Sequence, residues 1–132
     1  MDKVRVGVIG VGYLGKFHTE KYSRMDNVQL VGVVDIDRVR AEEVAARFDT
    51  RAFTDYRDLF GHVDAVSIVV PTENHFSVAT ECLNHDLDVL IEKPMTATLD
   101  QADELIAMAK SRGRVMQIGH LERFNPAVIA LK

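Results

Sequence analysis

The 132 residues, 47% of them hydrophobic and 27% charged, have the size and composition of one globular domain able to bury a real core. A formal net charge of −4 argues against nucleic acid as a partner, whose binding surface is basic. No run approaches the roughly 20 apolar residues of a membrane span and the N-terminus lacks a signal-peptide pattern, so the expected setting is cytoplasmic, without a membrane partner.

The chain opens on an apolar run from Val4 to Ile9 that stops at Gly10-Val11-Gly12-Tyr13-Leu14-Gly15. A helix is predicted from Gly12 to about Met25, with Tyr13, Leu14, Phe17 and Tyr22 near helical spacing. A second apolar run, Val28 to Val34, ends on Asp35. Glycines also gather in turns for structural reasons alone. Here a strand precedes them, a helix follows, and an acid stands about twenty residues on, which is the pattern of a dinucleotide cradle. Gly10 then permits the tight turn, Gly12 lets a pyrophosphate approach bare backbone, and Gly15 lets the helix pack closely. The first N–H groups of that helix and its dipole face the phosphates. Asp35 is placed to accept hydrogen bonds from an adenosine ribose. His18, one turn inside the helix, could face a ligand, but is expected to be satisfied at the helix surface.

Beyond Asp35, residues Ala41, Val44, Ala45 and Phe48 form one apolar stripe of a helix that Asp37 can cap. A short strand near Arg51 to Phe53 and a short helix around Tyr56 to Phe60 follow. The continuous apolar run from Val63 to Val70 suits a parallel strand covered on both faces. Pro71-Thr72 then leads, with Thr72 as cap, into a helix containing Phe76, Ala79, Cys82 and Leu83. Cys82, the single cysteine, reads as a buried core thiol. Asp88 to Ile91 is the next strand and ends at Glu92-Lys93-Pro94. Thr98 with Gln101 has the spacing of a capping box before a helix closed by Gly113. Arg114 to Ile118 reads as the last strand, and Asn125-Pro126 as the start of another helix. Alternating strands and helices without a repeat give an α/β, doubly wound parallel sheet with strand order 3-2-1-4-5-6.

Ligands of such a sheet bind beyond the carboxyl ends of its strands. That edge receives the glycine turn, Asp35, Pro71-Thr72 with His75, Glu92-Lys93 and Gly119-His120. Lys93 is the residue able to do chemistry: desolvation at the end of a buried strand favours its neutral form and Glu92 its charged form, and either can serve a hydroxyl being oxidised. A surface lysine before a turn proline is the plain alternative. The five histidines show no metal-ligand spacing, so no metal is expected.

Gly10-x-Gly12-x-x-Gly15, Asp35, Pro71-Thr72 with His75, Glu92-Lys93-Pro94 and a last strand running into Gly119 together resemble the Gfo/Idh/MocA oxidoreductases. The Glu-Lys-Pro element is the most specific of these. The resemblance implies a Rossmann fold that binds a nicotinamide dinucleotide, and hydride transfer between the nicotinamide and a hydroxyl of a sugar, nucleotide sugar or cyclitol. Asp35 should repel a 2′-phosphate, so NAD is expected with NADP less favoured, although Arg38 and Arg40 lie close enough to soften that preference. It implies Lys93 as the catalytic residue that orients this hydroxyl. It further implies cofactor contacts from Gly10, Gly12, Tyr13, Leu14, Gly15, Asp35, Pro71, Thr72, His75, Glu92, Lys93 and His120. Residues 1–125 are then the NAD-binding domain and 126–132 the start of a helix leading to a C-terminal α/β substrate domain outside this chain. A homo-oligomer is expected of the full-length form. The run from Gly119 to Ala127 is similar to members that oxidise nucleotide-linked amino sugars, with inositol or simple aldoses as rival substrates. The other reading is a stand-alone NAD-binding sensor or scaffold without catalysis.

Overall fold

The computed structural model describes residues 3–92, 96 and 98–119. Among them, six strands form one sheet: β1 (Val4–Ile9), β2 (Val28–Val34), β3 (Arg51–Phe53), β4 (Ala65–Ile68), β5 (Asp88–Ile91) and β6 (Met116–Ile118). The helices α1 (Tyr13–Ser23), α2 (Arg38–Arg47), α3 (His75–Asn84) and α4 (Leu99–Arg112) connect them, with a 3-10 turn at Tyr56–Leu59 between β3 and β4. The strand order is the expected β3-β2-β1-β4-β5-β6. Every pairing is parallel. The order reverses between β1 and β4, so the loops leaving these two strands diverge and open a crevice at their carboxyl ends.

Successive strand residues point to opposite faces, and both faces are covered. Val4, Val6 and Val8 of β1, with Val33 and Leu90, pack under α1 and α2 through Tyr22, Val44 and Ala45. On the other face, Val66, Ile68, Val89 and Ile91 meet α3 and α4 through Val78, Ala79, Cys82, Leu83, Leu105 and Ala109. A fully buried Leu or Ile such as Leu83, Leu105 or Ile68 contributes about 1.5–3 kcal/mol relative to exposure. This two-sided core leaves only the ends of the strands available to a ligand.

The helix signals are largely realised. The Asp37 side chain accepts the Arg40 N–H, Thr98 Oγ1 accepts the Gln101 N–H, and Gly113 ends α4 in the left-handed region at φ +67°. Three expectations are corrected. Thr72 does not cap α3: it belongs to a 3-10 turn, Thr72–Asn74, that runs straight into His75 without a side-chain cap. The Asn74 N–H is satisfied instead by the Pro71 carbonyl at 2.9 Å, the tighter bond that a 3-10 start provides. The buried face of α1 is Gly15, His18, Thr19 and Tyr22 rather than one including Tyr13 and Leu14. Both of those stand exposed at the helix start, Tyr13 at 89%, because the first turn projects past the sheet edge. Finally, β4 and β6 are shorter than the expected 63–70 and 114–118; past β4, Val69 keeps one bond to β1, its N–H donating to the Ile9 carbonyl at 2.8 Å, and with Val70 it lines the cleft.

The expected helix from Asn125-Pro126 and the boundary at residue 126 lie outside the described residues. No helix among those described is long and apolar enough to cross a membrane.

Candidate cofactor cleft

The glycine turn uses its three glycines for different reasons. Gly10 adopts φ +93°, and its N–H donates to the Val34 carbonyl at 2.7 Å, tying the turn to β2. A Cβ on Gly15 would lie 1.9 Å from the Gly10 carbonyl oxygen, so only glycine lets α1 sit directly on the turn. A Cβ on Gly12 would meet nothing within 4 Å. Gly12 is therefore spared a side chain by the cleft it lines, and not by the packing of the protein. It is also the N-cap of α1 and has no side chain with which to cap it. The first-turn N–H groups of α1, which have no carbonyl inside the helix, are left to whatever anion occupies the cleft.

Asp35 follows β2 beside the glycine turn and is 8% exposed. Its Oδ2 accepts the Val11 N–H at 3.0 Å and its Oδ1 the Asp37 N–H at 2.9 Å. The Arg40 guanidinium lies 3.6 Å from Oδ2. Asp35 thus shapes the glycine turn as well as facing the cleft, a second task that spacing did not reveal. A carboxylate offers about four lone-pair positions, so capacity for a ribose hydroxyl remains.

The facing wall comes from the loop after β4. His75 is buried, and its Nε2 lies 2.8 Å from the Val70 carbonyl. A carbonyl only accepts, so Nε2 carries the proton and the ring holds the Val70-Pro71 corner in place. Thr72 and Pro71 line the same wall. Tyr56 lines it too, its hydroxyl bonded to Glu81 of α3, with Arg57 chelating the same carboxylate at 2.8 and 2.9 Å. Burial and this contact push the Tyr56 phenol well above its usual range, while the Arg57 guanidinium holds the Glu81 carboxyl below its own.

At the floor stands Glu92, 6% exposed at the end of β5. His18 Nε2 lies 2.6 Å from its Oε1. This overturns the expectation of a surface histidine: His18 is 1% exposed and reaches across from α1 to the strand end that precedes Lys93. Position 18 falls on the face that Gly15 and Tyr22 bury, whereas the apolar Tyr13 and Leu14 stand exposed. Below it, the Tyr22 hydroxyl and Ser67 Oγ are 2.6 Å apart. Burial pushes the Tyr22 phenol up to about 12.

These residues enclose a cleft of about 800 Å³ at the carboxyl ends of the strands. It is lined by Gly10, Gly12, Tyr13, Leu14, Gly15, Asp35, Pro71, Thr72, His75 and Glu92, ten of the positions singled out in the sequence. Lys93 and His120 lie outside the described residues. Arg40, expected near a 2′-phosphate, lines the cleft as well, while Ile36, Thr54, Asn74 and Ser77 line it and carried no expectation as contacts. Ile36 and Thr54 had one available signal, since each stands just past a predicted strand at the edge where ligands bind. Cys82 does not line the cleft: it lies on the buried face of α3, and burial pushes its thiol up to about 12. Among the described residues no group of three metal-ligating side chains converges.

The fit of a dinucleotide rests on the bare, uncapped approach at Gly12, the acid that shares its cleft, and a volume large enough for such a ligand. Over its full length the chain is 48% identical to UDP-N-acetylglucosamine 3-dehydrogenase of Acidithiobacillus ferrooxidans, covering 42% of that protein. A solved structure of this dehydrogenase, GnnA, superposes with a TM-score of 0.87 over 99% of this chain and 43% of its own. Inositol 2-dehydrogenase of Rubrobacter xylanophilus is 35% identical over 99% of this chain and 39% of its own. GenD2 from gentamicin A biosynthesis, solved in complex with NAD, is 30% identical with a TM-score of 0.87, covering 90% of this chain and 35% of its own. The chain thus spans about two fifths of the length of the curated relatives it matches. Residues 4–120 match the Gfo/Idh/MocA family model, described as an oxidoreductase family with an NAD-binding Rossmann fold, and the chain belongs to that family.

Proposed function

We propose that this chain is the cofactor-holding part of a nicotinamide-dependent dehydrogenase that moves a hydride between NAD(H) and a hydroxyl of a sugar, nucleotide sugar or cyclitol. The observation that carries the reading is the cleft that bare Gly12 and the uncapped start of α1 share with Asp35, whose carboxylate is bonded to the glycine turn itself. The pyrophosphate belongs at the glycine turn, where backbone N–H groups and the helix dipole meet negative charge. Asp35 takes the adenosine ribose. Ile36, 95% exposed on the lip beside it, offers an apolar surface to the adenine. The nicotinamide, when bound, supplies the hydride acceptor or donor.

Lys93 directly follows Glu92 on the cleft floor, and we assign it the substrate hydroxyl. It orients that group and manages its proton as the carbon gains or loses hydride. Among substrates, a nucleotide-linked amino sugar is favoured, because the relative at 48% identity is named for one. The inositol dehydrogenase at 35% supports the wider class of ring hydroxyls. The proposal extends to a cytoplasmic, homo-oligomeric full-length protein, for which light scattering after size exclusion is the check on assembly.

The test is reduction of NAD by the complete gene product with UDP-N-acetylglucosamine, inositol and aldoses, alongside Lys93→Met. Turnover with one of these substrates and its loss by two or more orders of magnitude in the variant are expected, about the range of one positioned acid-base group. NAD affinity should survive the substitution. A variant that keeps wild-type turnover would remove Lys93 from the chemistry.

A further inference from the structure

The His18–Glu92 contact joins two parts of the cleft that have separate tasks. His18 lies on α1, whose first turn faces the proposed pyrophosphate, and Glu92 is the last residue before Lys93. Both side chains are more than nine-tenths buried, and Nε2 and Oε1 are 2.6 Å apart. The imidazole is also held from two sides. Phe17 and Tyr22 stand edge-on to it with ring centroids at 6.5 Å, and Tyr22 is itself anchored to β4 through Ser67. A buried histidine fixed by aromatic edges has little rotational freedom, so the position of Glu92 follows that of α1. Burying a carboxylate beside an imidazole has a solvation cost that a surface-facing pair would avoid, which makes an arrangement serving only stability a poor choice of residues.

We propose that His18 is a positioning residue: through Glu92 it sets the end of β5 against α1 and so fixes where Lys93 stands relative to the cofactor. The inference rests on the assignment of Lys93 to the substrate hydroxyl. Proton handling and hydride transfer then share one rigid frame, because the helix that holds the pyrophosphate also holds the strand end that presents the lysine. A displacement of about 1 Å at the reacting groups can reduce turnover on the order of a hundredfold, although neither His18 nor Glu92 need touch the substrate.

The experiment uses the complete gene product and compares His18→Met with His18→Gln. Both side chains have similar length, but only Gln keeps an N–H donor near the place of Nε2. Expected are a kcat loss of at least tenfold in His18→Met, an NAD dissociation constant within about threefold of wild type, and recovery of most of the turnover in His18→Gln. A purely structural role would move the melting temperature of both variants and leave the kcat of the folded protein alone. Wild-type kcat in folded His18→Met would overturn the proposal. If His18→Met does not fold, Glu92→Met is read in its place, and the double variant with His18→Gln settles the coupling: no loss beyond Glu92→Met supports the strut, and additive losses overturn it. Lys93→Met is assayed in parallel. If it retains turnover, the assignment of Lys93 fails; if it is inactive while His18→Met keeps full kcat, the strut alone fails.

Discussion

A side chain at residue 12 has room to enter, but only by taking that room from the cleft. Its φ of −67° is open to any residue and no atom lies within 4 Å of a built Cβ, so Gly12→Val should fold with a stability close to wild type. Its isopropyl group would stand where a pyrophosphate meets the backbone, and NAD affinity measured by calorimetry should be lost. Folded Gly12→Val with unchanged affinity would exclude the phosphate cradle. Gly15 gives the opposite case, since its Cβ would overlap a backbone oxygen at 1.9 Å and must disturb the fold itself. Arg40 carries a prediction of a different kind. Asp35 should disfavour a 2′-phosphate, so NAD should bind more tightly than NADP, while Arg40, on the cleft lip 3.6 Å from Asp35, softens that preference. Its side chain is 48% exposed and its electrostatic effect is correspondingly modest, so Arg40→Ala should weaken NADP by roughly fivefold, about 1 kcal/mol, with little change for NAD. Titration of both cofactors against both proteins checks this, and NADP tightening in Arg40→Ala would reverse the assignment.

Among the elements, α4 and α1 show two ways of starting a helix. Thr98, not among the residues lining the cleft, caps α4 by accepting the Gln101 N–H at 3.2 Å, so Thr98→Ala should cost about 1 kcal/mol in urea unfolding and leave NAD affinity unchanged. A loss of affinity in that variant would show that α4 is coupled to the site. The start of α1 forgoes such a cap at Gly12, and stability is yielded there to a ligand. The order of strands, the caps at Asp37 and Thr98 and the left-handed Gly113 were all legible in the sequence, because each depends on local chemistry or on alternation between two periods. The face of α1 was not. Tyr13 and Leu14 are apolar and near helical spacing, but they face a ligand cleft, and a periodicity count takes any apolar residue for core. His18 was misplaced by the same error. Its partner Glu92 is 74 residues away, a separation over which no sequence pattern reports contact. Thr72 had the chemistry of a cap, yet the chain took a 3-10 turn from Pro71, whose fixed φ already sets the approach.

At the scale of the whole molecule, two acidic hydrogens are locked in the two halves of the core, and they give the fold a weakness towards alkali. Tyr22 belongs to the layer under α1 and α2, Cys82 to the layer under α3 and α4. Burial pushes both groups up to about 12, from ordinary values of 10.0 and 9.0. In the unfolded chain Cys82 releases its proton near pH 9 and Tyr22 near pH 10, whereas the folded protein keeps both until about pH 12. The unfolded state therefore binds fewer protons throughout that window, and stability must fall as pH rises. The loss is up to about 1.4 kcal/mol per pH unit for each group. Below pH 9 both contributions are intact. Thermal melts should show a steady melting temperature approaching pH 9 and a steep decline from there to pH 11. Cys82→Ala should begin from a lower melting temperature, because a cavity is left in the core, but it should decline less between pH 9 and 10, where the thiol alone separates the two states. The same burial should keep native Cys82 unreactive to thiol reagents at pH 8 until the protein is unfolded. A decline equally steep between pH 9 and 10 in Cys82→Ala would exclude the thiol as its source and leave Tyr22 as the core group responsible.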